Sequence, residues 1–365
     1  MACQIEQVKG IGVLPGHRIS FVDHLVPLCQ IMGIPLLCTD PWVFEAIGLY
    51  YPPMELILDE APDFCLDQSL KEYNTLFYVT FSRQPHGSFQ FLEYHSNKKL
   101  RSVYSLHGNS DKKRNIFWAE RFADEDIVLL YGDHMIDFIK EKGVLDRIPH
   151  RIVTGNYRLE FYRQNKPFFD QFSFFPKDDR KTILYAPTWS SDNLRSAWKC
   201  DYSSFFEAHH ALFSSIPEDY RLIVKLHPHL IYESADEIEK VKARYSDSDQ
   251  LFFLGDIPPI FPILEHVDIY LGDYSSIGYD FLAFNRPLFF LNMSERDPES
   301  DKGVHLFRCG EVIDPNQLEN VYQIIEGTDS SQFEKARKES YAYAFGEKSS
   351  DFTGLRQEVE AALQS

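Results

Sequence analysis

HVDIYLGDYSSIGYDFLAFNRPLFFL, residues 266–291, decides the fold class. Residues 268–271 read as a short strand, broken by Gly272-Asp273-Tyr274. Ser275-Ser276 stand where a helix must begin, Asn285-Arg286-Pro287 ends it, and 288–291 is apolar again. Strand, tight turn, helix, strand is the repeating unit of a parallel sheet. Serine hydroxyls beside the free N–H groups of a helix N-terminus offer a phosphate site. Ser275 would equally serve as a simple cap. Two histidine motifs upstream, Ser105-Leu106-His107-Gly108 and Lys225-Leu226-His227-Pro228, favour the phosphate reading.

Working outward, the same alternation recurs on both sides. Strands are expected at 11–14, 34–38, 76–81, 102–106, 127–131 and 151–154, with helices over 19–32 and 135–142 stopped by Gly33 and Gly143. The pattern restarts with strands at 182–186, 222–226 and 251–254, and helices near 238–245 and 317–326 follow it. Such alternation predicts an α/β chain of two doubly wound, Rossmann-like domains facing a cleft. The expected division is 1–160, a linker at 161–180 where aromatic and charged residues lack periodicity, and 181–345. A last helix, 346–365, is expected to pack back on the first domain. The histidine and serine motifs all fall at carboxyl ends of strands, where open α/β sheets bind ligands.

The totals agree with this plan. A chain of 365 residues that is 44% hydrophobic can bury two cores. Its 37 basic and 55 acidic residues give a net charge of −18, which repels nucleic acid and anionic lipid unless basic residues cluster locally. Six scattered cysteines, Cys3, Cys29, Cys38, Cys65, Cys200 and Cys309, show no CxxC spacing, which fits a reducing cytoplasm and argues against a zinc site. Neither a signal peptide nor a run of about 20 apolar residues is visible. The expectation is a cytoplasmic chain, with docking at the inner membrane face left open.

Several residues carry candidate chemistry. His107, between an apolar strand and Gly108-Asn109-Ser110, can take a proton from an alcohol or donate to phosphate; it also reads as a turn histidine. On a strand, Lys225 and His227 share a face and bear on one anion, and Pro228 stops the strand. Thr188, in Tyr185-Ala186-Pro187-Thr188-Trp189, can bond phosphate, while Trp189 covers a base or fills the core. His17 and Arg18, in the first strand-to-helix turn, line the cleft from the acceptor side. No GxxxxGK[ST], HExxH or GxSxG is present, which disfavours P-loop, zincin and serine-hydrolase chemistry.

In their order, these motifs resemble the CDP-glycerol glycerophosphotransferase family, the enzymes of teichoic-acid and related capsule synthesis. The resemblance covers 102–291: Leu106-His107-Gly108, Gly155-Asn156-Tyr157-Arg158-Leu159-Glu160, Leu184 through Trp189, Lys225-Leu226-His227-Pro228, and Gly272 through Pro287. It implies the glycosyltransferase-B fold, with the acceptor on the first domain and a CDP-activated polyol donor on the second. A hydroxyl attacks the distal phosphorus and CMP leaves, with no cofactor and no required metal. His107 then matches the histidine assisting the hydroxyl. His227, Ser275 and Ser276 match donor-phosphate contacts, joined by Thr188, Lys225 and Asp273, and Arg158 falls on the acceptor side. The chain departs from the family pattern where Trp-His-Gly-Thr-Pro is Leu106-His107-Gly108-Asn109-Ser110, and where Gly-x-Pro-Arg-x-Asp is Gly155 through Glu160.

The leading expectation is therefore a transferase moving a polyol phosphate from a CDP-linked donor to a hydroxyl of a cell-surface glycan or lipid-linked precursor. Two alternatives stand beside it. One is a UDP-sugar glycosyltransferase or non-hydrolysing epimerase on the same fold; the other is a non-catalytic nucleotide-binding homologue.

Overall fold

The computed structural model describes residues 9–60, 71–79, 93–94, 99–112, 119–176, 178–189, 203–346 and 351–365. Cys3, Cys65 and Cys200, and the end of the strand expected at 76–81, lie outside the described residues. In chain order the first sheet contains β1 (Gly10–Leu14), β2 (Leu36–Cys38), β3 (Leu56–Leu58), β4 (Thr75–Tyr78), β5 (Arg101–Ser105), β6 (Ile127–Leu130) and β7 (His150–Val153). They pair in parallel in the order β3-β2-β1-β4-β5-β6-β7. The second contains β8 (Lys181–Ala186), β9 (Tyr220–Val224), β10 (Leu251–Phe253), β11 (Ile269–Gly272), β12 (Leu288–Leu291) and β13 (Glu311–Ile313). Their order is β10-β9-β8-β11-β12-β13, again all parallel.

The central strands are continuous apolar runs because helices cover both faces, so alternation has no solvent side to serve. IVLL of β6 and LFFL of β12 are buried throughout. The helix Ile19–Met32 covers the first sheet and stops at Gly33, whose φ of 67° lets its N–H reach the Cys29 and Gln30 carbonyls. In the unit that decided the fold, β11 lies between β8 and β12, with Tyr270 opposite Leu184 and Leu288. Asn285 turns the chain at φ 49°, and Arg286 donates to the Glu265 and Val267 carbonyls, fixing the return into β12.

Two features differ from the expectation. The stretch 161–180 is not a bare connector: it holds the end of the helix Tyr157–Gln164 and the turn Lys166–Phe169. Its aromatic residues fill a seam, with Phe172 against Tyr50 at 5.6 Å. The return to the first sheet also begins before 346. The helix Glu334–Phe345 packs on Asp133–Glu141, so closely that a Cβ at Gly132 would lie 2.7 Å from the Ala344 carbonyl oxygen. The helix Phe352–Gln364 then lies over β6, β7 and Ile19–Met32, where Arg356 donates to the Ile31 carbonyl at 3.0 Å.

Strand order reverses between β1 and β4 in one sheet and between β8 and β11 in the other, opening a crevice at the carboxyl ends of each. One apolar core runs from the first sheet into the facing side of the second, and a separate core fills the far side of the second.

Candidate active site

A cavity of about 420 Å³ lies between the carboxyl ends of the two sheets, lined by the loops that follow β1, β5, β8, β9 and β11. The sheets touch at its rim. Gly108, at φ +106°, disfavours a side chain, because a Cβ there would strain the backbone and stand 3.1 Å from the Ser276 Cβ. His107, next to it, lines the cavity with its ring 4.6 Å from that of Phe21. Its Nδ1 lies 3.0 Å from the Val79 carbonyl oxygen. A carbonyl only accepts, so Nδ1 carries the proton and Nε2 the lone pair.

His227 stands on the opposite wall in the opposite tautomer. It precedes the helix Pro228–Glu233, and its Nδ1 accepts the His229 N–H at 3.1 Å. In the neutral ring Nε2 then carries the proton. Burial, then the ammonium of Lys112, His229 and Lys225, push its pKa well below the ordinary histidine range. Lys225 lines the same wall, although β9 ends at Val224 and both residues lie in the loop beyond it, and it donates to the Ile257 carbonyl at 3.2 Å. Burial lowers its pKa, and Asp256 and Asp23 hold it up. His229 is exposed at the rim, stacked on His227 and 5.4 Å from Trp189.

The structure brings Thr188, Lys225, His227, Ser275, Ser276, His107 and Arg158 to one cavity. Asp273 is not among its lining residues. It is wholly buried, and its carboxylate accepts the Thr188 N–H at 2.8 Å and both the N–H and hydroxyl of Ser204 at 2.9 Å. Burial raises its pKa to about 6 against the pull of these bonds. Asp273 therefore shapes the wall from behind. Ser276 is the N-cap of Ile277–Phe281 but makes no capping bond, and five residues are too few for a helix end with an appreciable dipole. Both serines line the cavity as hydroxyls on a turn. His17 and Arg18 do not line it: His17 is exposed, 3.2 Å from Asp40 and packed on Trp42, and Arg18 lies 5.8 Å from the Phe21 ring. Ile19, Ser20, Phe21, Asp23 and His24, which follow them directly, line the cavity instead, while at its rim desolvation, helped by the charge of Arg18, lowers the His229 pKa.

Arg158 marks the floor. It is 3% exposed, donates to Asp280 at 2.7 Å and to His24 at 3.0 Å, and lies 3.6 Å from Asp23. The Asp280 carboxyl is pushed up by burial and held down by Arg158. Asp23, His24 and Asp280 escaped the sequence reading. The signal was present in ISFVDHLVPLCQIM, a mostly apolar helix carrying an Asp-His pair that is buried with its apolar residues.

The departures around His107 have a structural role. Asn109, 1% exposed, donates to the Ala344 carbonyl at 3.2 Å and accepts from His134. Asp111 accepts from Tyr279 at 2.6 Å and from the Leu306 N–H at 2.9 Å. The loop that presents His107 is thus tied to the second sheet and its following helices. In Gly155 through Glu160, Asn156 caps the helix by accepting the Leu159 N–H at 3.2 Å, and Tyr157 donates to the His24 carbonyl at 2.7 Å. Among the described residues no group of three or more His, Cys, Asp or Glu is arranged to hold a metal ion, and no helix is long and apolar enough to cross a membrane.

Residues 175–341 match the family CDP-Glycerol:Poly(glycerophosphate) glycerophosphotransferase. This stretch, somewhat under half of the chain, is similar to that family. The glycerophosphotransferase match takes in Thr188, Lys225, His227, Asp273, Ser275 and Ser276, and leaves His107 and Arg158 outside. Teichoic acid glycerol-phosphate primase of Bacillus subtilis is 30% identical over 207 residues, covering 54% of this chain and 48% of its own. Teichoic acid poly(glycerol phosphate) polymerase of Bacillus spizizenii is 31% identical over 112 residues, covering 31% of this chain and 26% of its own. The chain thus spans less than half the length of either relative. Among solved structures, the wall teichoic acid polymerase TagF superposes with a TM-score of 0.64 at 13% identity, over 99% of this chain and 90% of its own. Staphylococcus aureus MnaA with UDP gives 0.61 at 12%, over 97% and 95%. At such identities the likeness speaks for the fold alone, the glycosyltransferase-B arrangement of two facing sheets.

Proposed function

We propose that the chain transfers a polyol phosphate, glycerol phosphate or a close relative, from a CDP-activated donor to a hydroxyl of a cell-surface glycan or lipid-linked precursor. The observation that carries this reading is the pair of opposed histidine tautomers in one cavity, His107 with a lone pair on Nε2 and His227 with a proton there. An acceptor hydroxyl on the first sheet gives its proton to His107 Nε2 as its oxygen bonds to the distal phosphorus. The bond from that phosphorus to the bridging oxygen breaks, and its electron pair leaves with CMP. The His227 N–H and the Lys225 ammonium neutralise the charge gathering on the leaving group. A positioned base contributes about 10²–10⁴-fold to such a step.

In this reading, residues 181–345 hold the donor, residues 1–160 hold the acceptor, and a lipid-linked acceptor brings the chain to the inner membrane face. The matched family's description, which prints CDP-glycerol, and the relatives' names, which print glycerol phosphate, support the class of donor. The test is incubation with CDP-glycerol, CDP-ribitol and UDP-sugars in the presence of lipid-linked acceptor, with the released nucleotide resolved by anion exchange. CMP from a CDP-polyol supports the proposal. UDP from a UDP-sugar moves the chain to glycosyl transfer, and binding without release makes it a nucleotide-binding homologue.

A further inference from the structure

We propose that Lys112 is a donor-binding residue delivered from the acceptor sheet, its ammonium leaving Thr188 to take the diphosphate of the nucleotide donor. The inference rests on the nucleoside-diphosphate reading of the cavity and adds a residue to it. Lys112 lies in the loop after β5, five positions beyond His107, and so belongs to the first sheet. Its side chain nevertheless crosses the cleft. The ammonium donates to the Thr188 hydroxyl at the end of β8 and stands 5.9 Å from the Trp189 ring centroid.

Three observations turn this crossing into a binding role. Thr188 is 0% exposed, so a donor contact at this point meets the lysine before the threonine. The loop carrying Lys112 is held in place: its N–H lies 3.3 Å from the Ser110 hydroxyl, and the neighbouring Asp111 is bonded to Tyr279 and Leu306. A fixed base under a flexible four-carbon stem lets the ammonium exchange partners without moving the backbone. Finally, the Thr188 end of this contact is a neutral hydroxyl. A diphosphate oxygen is anionic, so it attracts the ammonium by its net charge in addition to the hydrogen bond that a hydroxyl can also accept. Lys112 also sits beside His227, whose imidazole its charge helps keep neutral. Lys112 and Lys225 then flank the anion from the two sheets, in a chain whose overall charge repels it. Donor binding thereby engages both halves of the molecule before the acceptor arrives.

The test uses the full chain and compares CDP with cytidine, by calorimetry or competition, in wild type, Lys112→Ala, Lys112→Gln and Lys112→Arg. Loss of a charge-assisted contact predicts a fall in CDP affinity of about 10- to 100-fold for the Ala and Gln variants. Lys112→Arg should retain most of it, and cytidine binding should be unchanged. Gln preserves most of the apolar stem and guards against a variant that fails to fold. Unchanged CDP affinity in the folded Gln variant overturns the proposal, as does an equal loss for cytidine and CDP. Wild type that binds CDP separates these outcomes from failure of the donor reading. Wild type that binds no nucleoside diphosphate overturns both.

Discussion

Replacing Asp273 by Asn probes how the turn after β11 is held. The carboxyl is wholly buried, and its pKa is raised from 3.8 to about 6 because burial outweighs three hydrogen bonds from Thr188 and Ser204. A folded state with the higher pKa holds its proton more tightly than the unfolded chain. The stability from that proton is therefore complete below the unfolded value near 3.8 and is lost as pH rises through about 6. A shift of about two units at about 1.4 kcal/mol each is worth about 3 kcal/mol. Asn does not titrate, so the advantage of wild type over Asp273→Asn should shrink by about 2 kcal/mol between pH 4 and pH 7, the larger part of that total. Urea unfolding of the two proteins, run in parallel at half-unit steps, reads this difference. Two sheets need not melt in one transition, so the comparison is between matched transitions at each pH. A gap that stays constant, or that widens with pH, refutes the reasoning.

Three further outcomes follow from the same geometry. His107→Ala should leave CDP-donor affinity nearly unchanged while turnover falls about 10²–10⁴-fold, whereas His227→Ala should weaken donor binding as well; near-normal turnover in a folded His107→Ala would end its role as base. Arg158→Met leaves Asp23 and Asp280 without their shared cation, and losing one partner of a buried pair typically costs about 3–5 kcal/mol. Adding Asp280→Leu should recover much of that loss in denaturant titrations, and an Arg158→Met protein as stable as wild type would show the pair to be dispensable. With Lys225, His227 and Lys112 around the leaving group, turnover should survive EDTA; activity abolished by EDTA and restored by magnesium would contradict this charge assignment.

The fold was legible where its signals are local. Apolar runs ended by Gly272-Asp273-Tyr274 or by Asn285-Arg286-Pro287 mark strands and turns without reference to the rest of the chain. The edge strands β3 and β13 were not found, because three residues, most of them only partly buried, leave too short a pattern. Lys225 and His227 were expected to share a strand face, but β9 ends at Val224 and both stand in the loop beyond it, so what brings them to the site is their place at the carboxyl end of the strand. Asp273 looked like a ligand because an aspartate in a turn beside two serines is a chemical handle. Its true partners lie 85 and 69 residues away, Thr188 and Ser204, and nothing near it in sequence names them. Lys112 was invisible for a related reason. Which wall its side chain meets depends on how the two sheets dock, and that is settled by Asn109, Asp111, Tyr279 and the returning helix Glu334–Phe345.

Whether the chain moves a phosphoryl group or a sugar is written in the nucleotide it releases. Cleavage between the two phosphates of the donor liberates a nucleoside monophosphate, while glycosyl transfer liberates a diphosphate. The decisive measurement is therefore acceptor-dependent release from CDP-glycerol labelled in the glycerol, following nucleotide and label together. The account predicts one CMP for each labelled glycerol phosphate joined to the acceptor, with both signals suppressed in parallel by His107→Ala. Release of CDP, or label transferred without phosphorus, would contradict it.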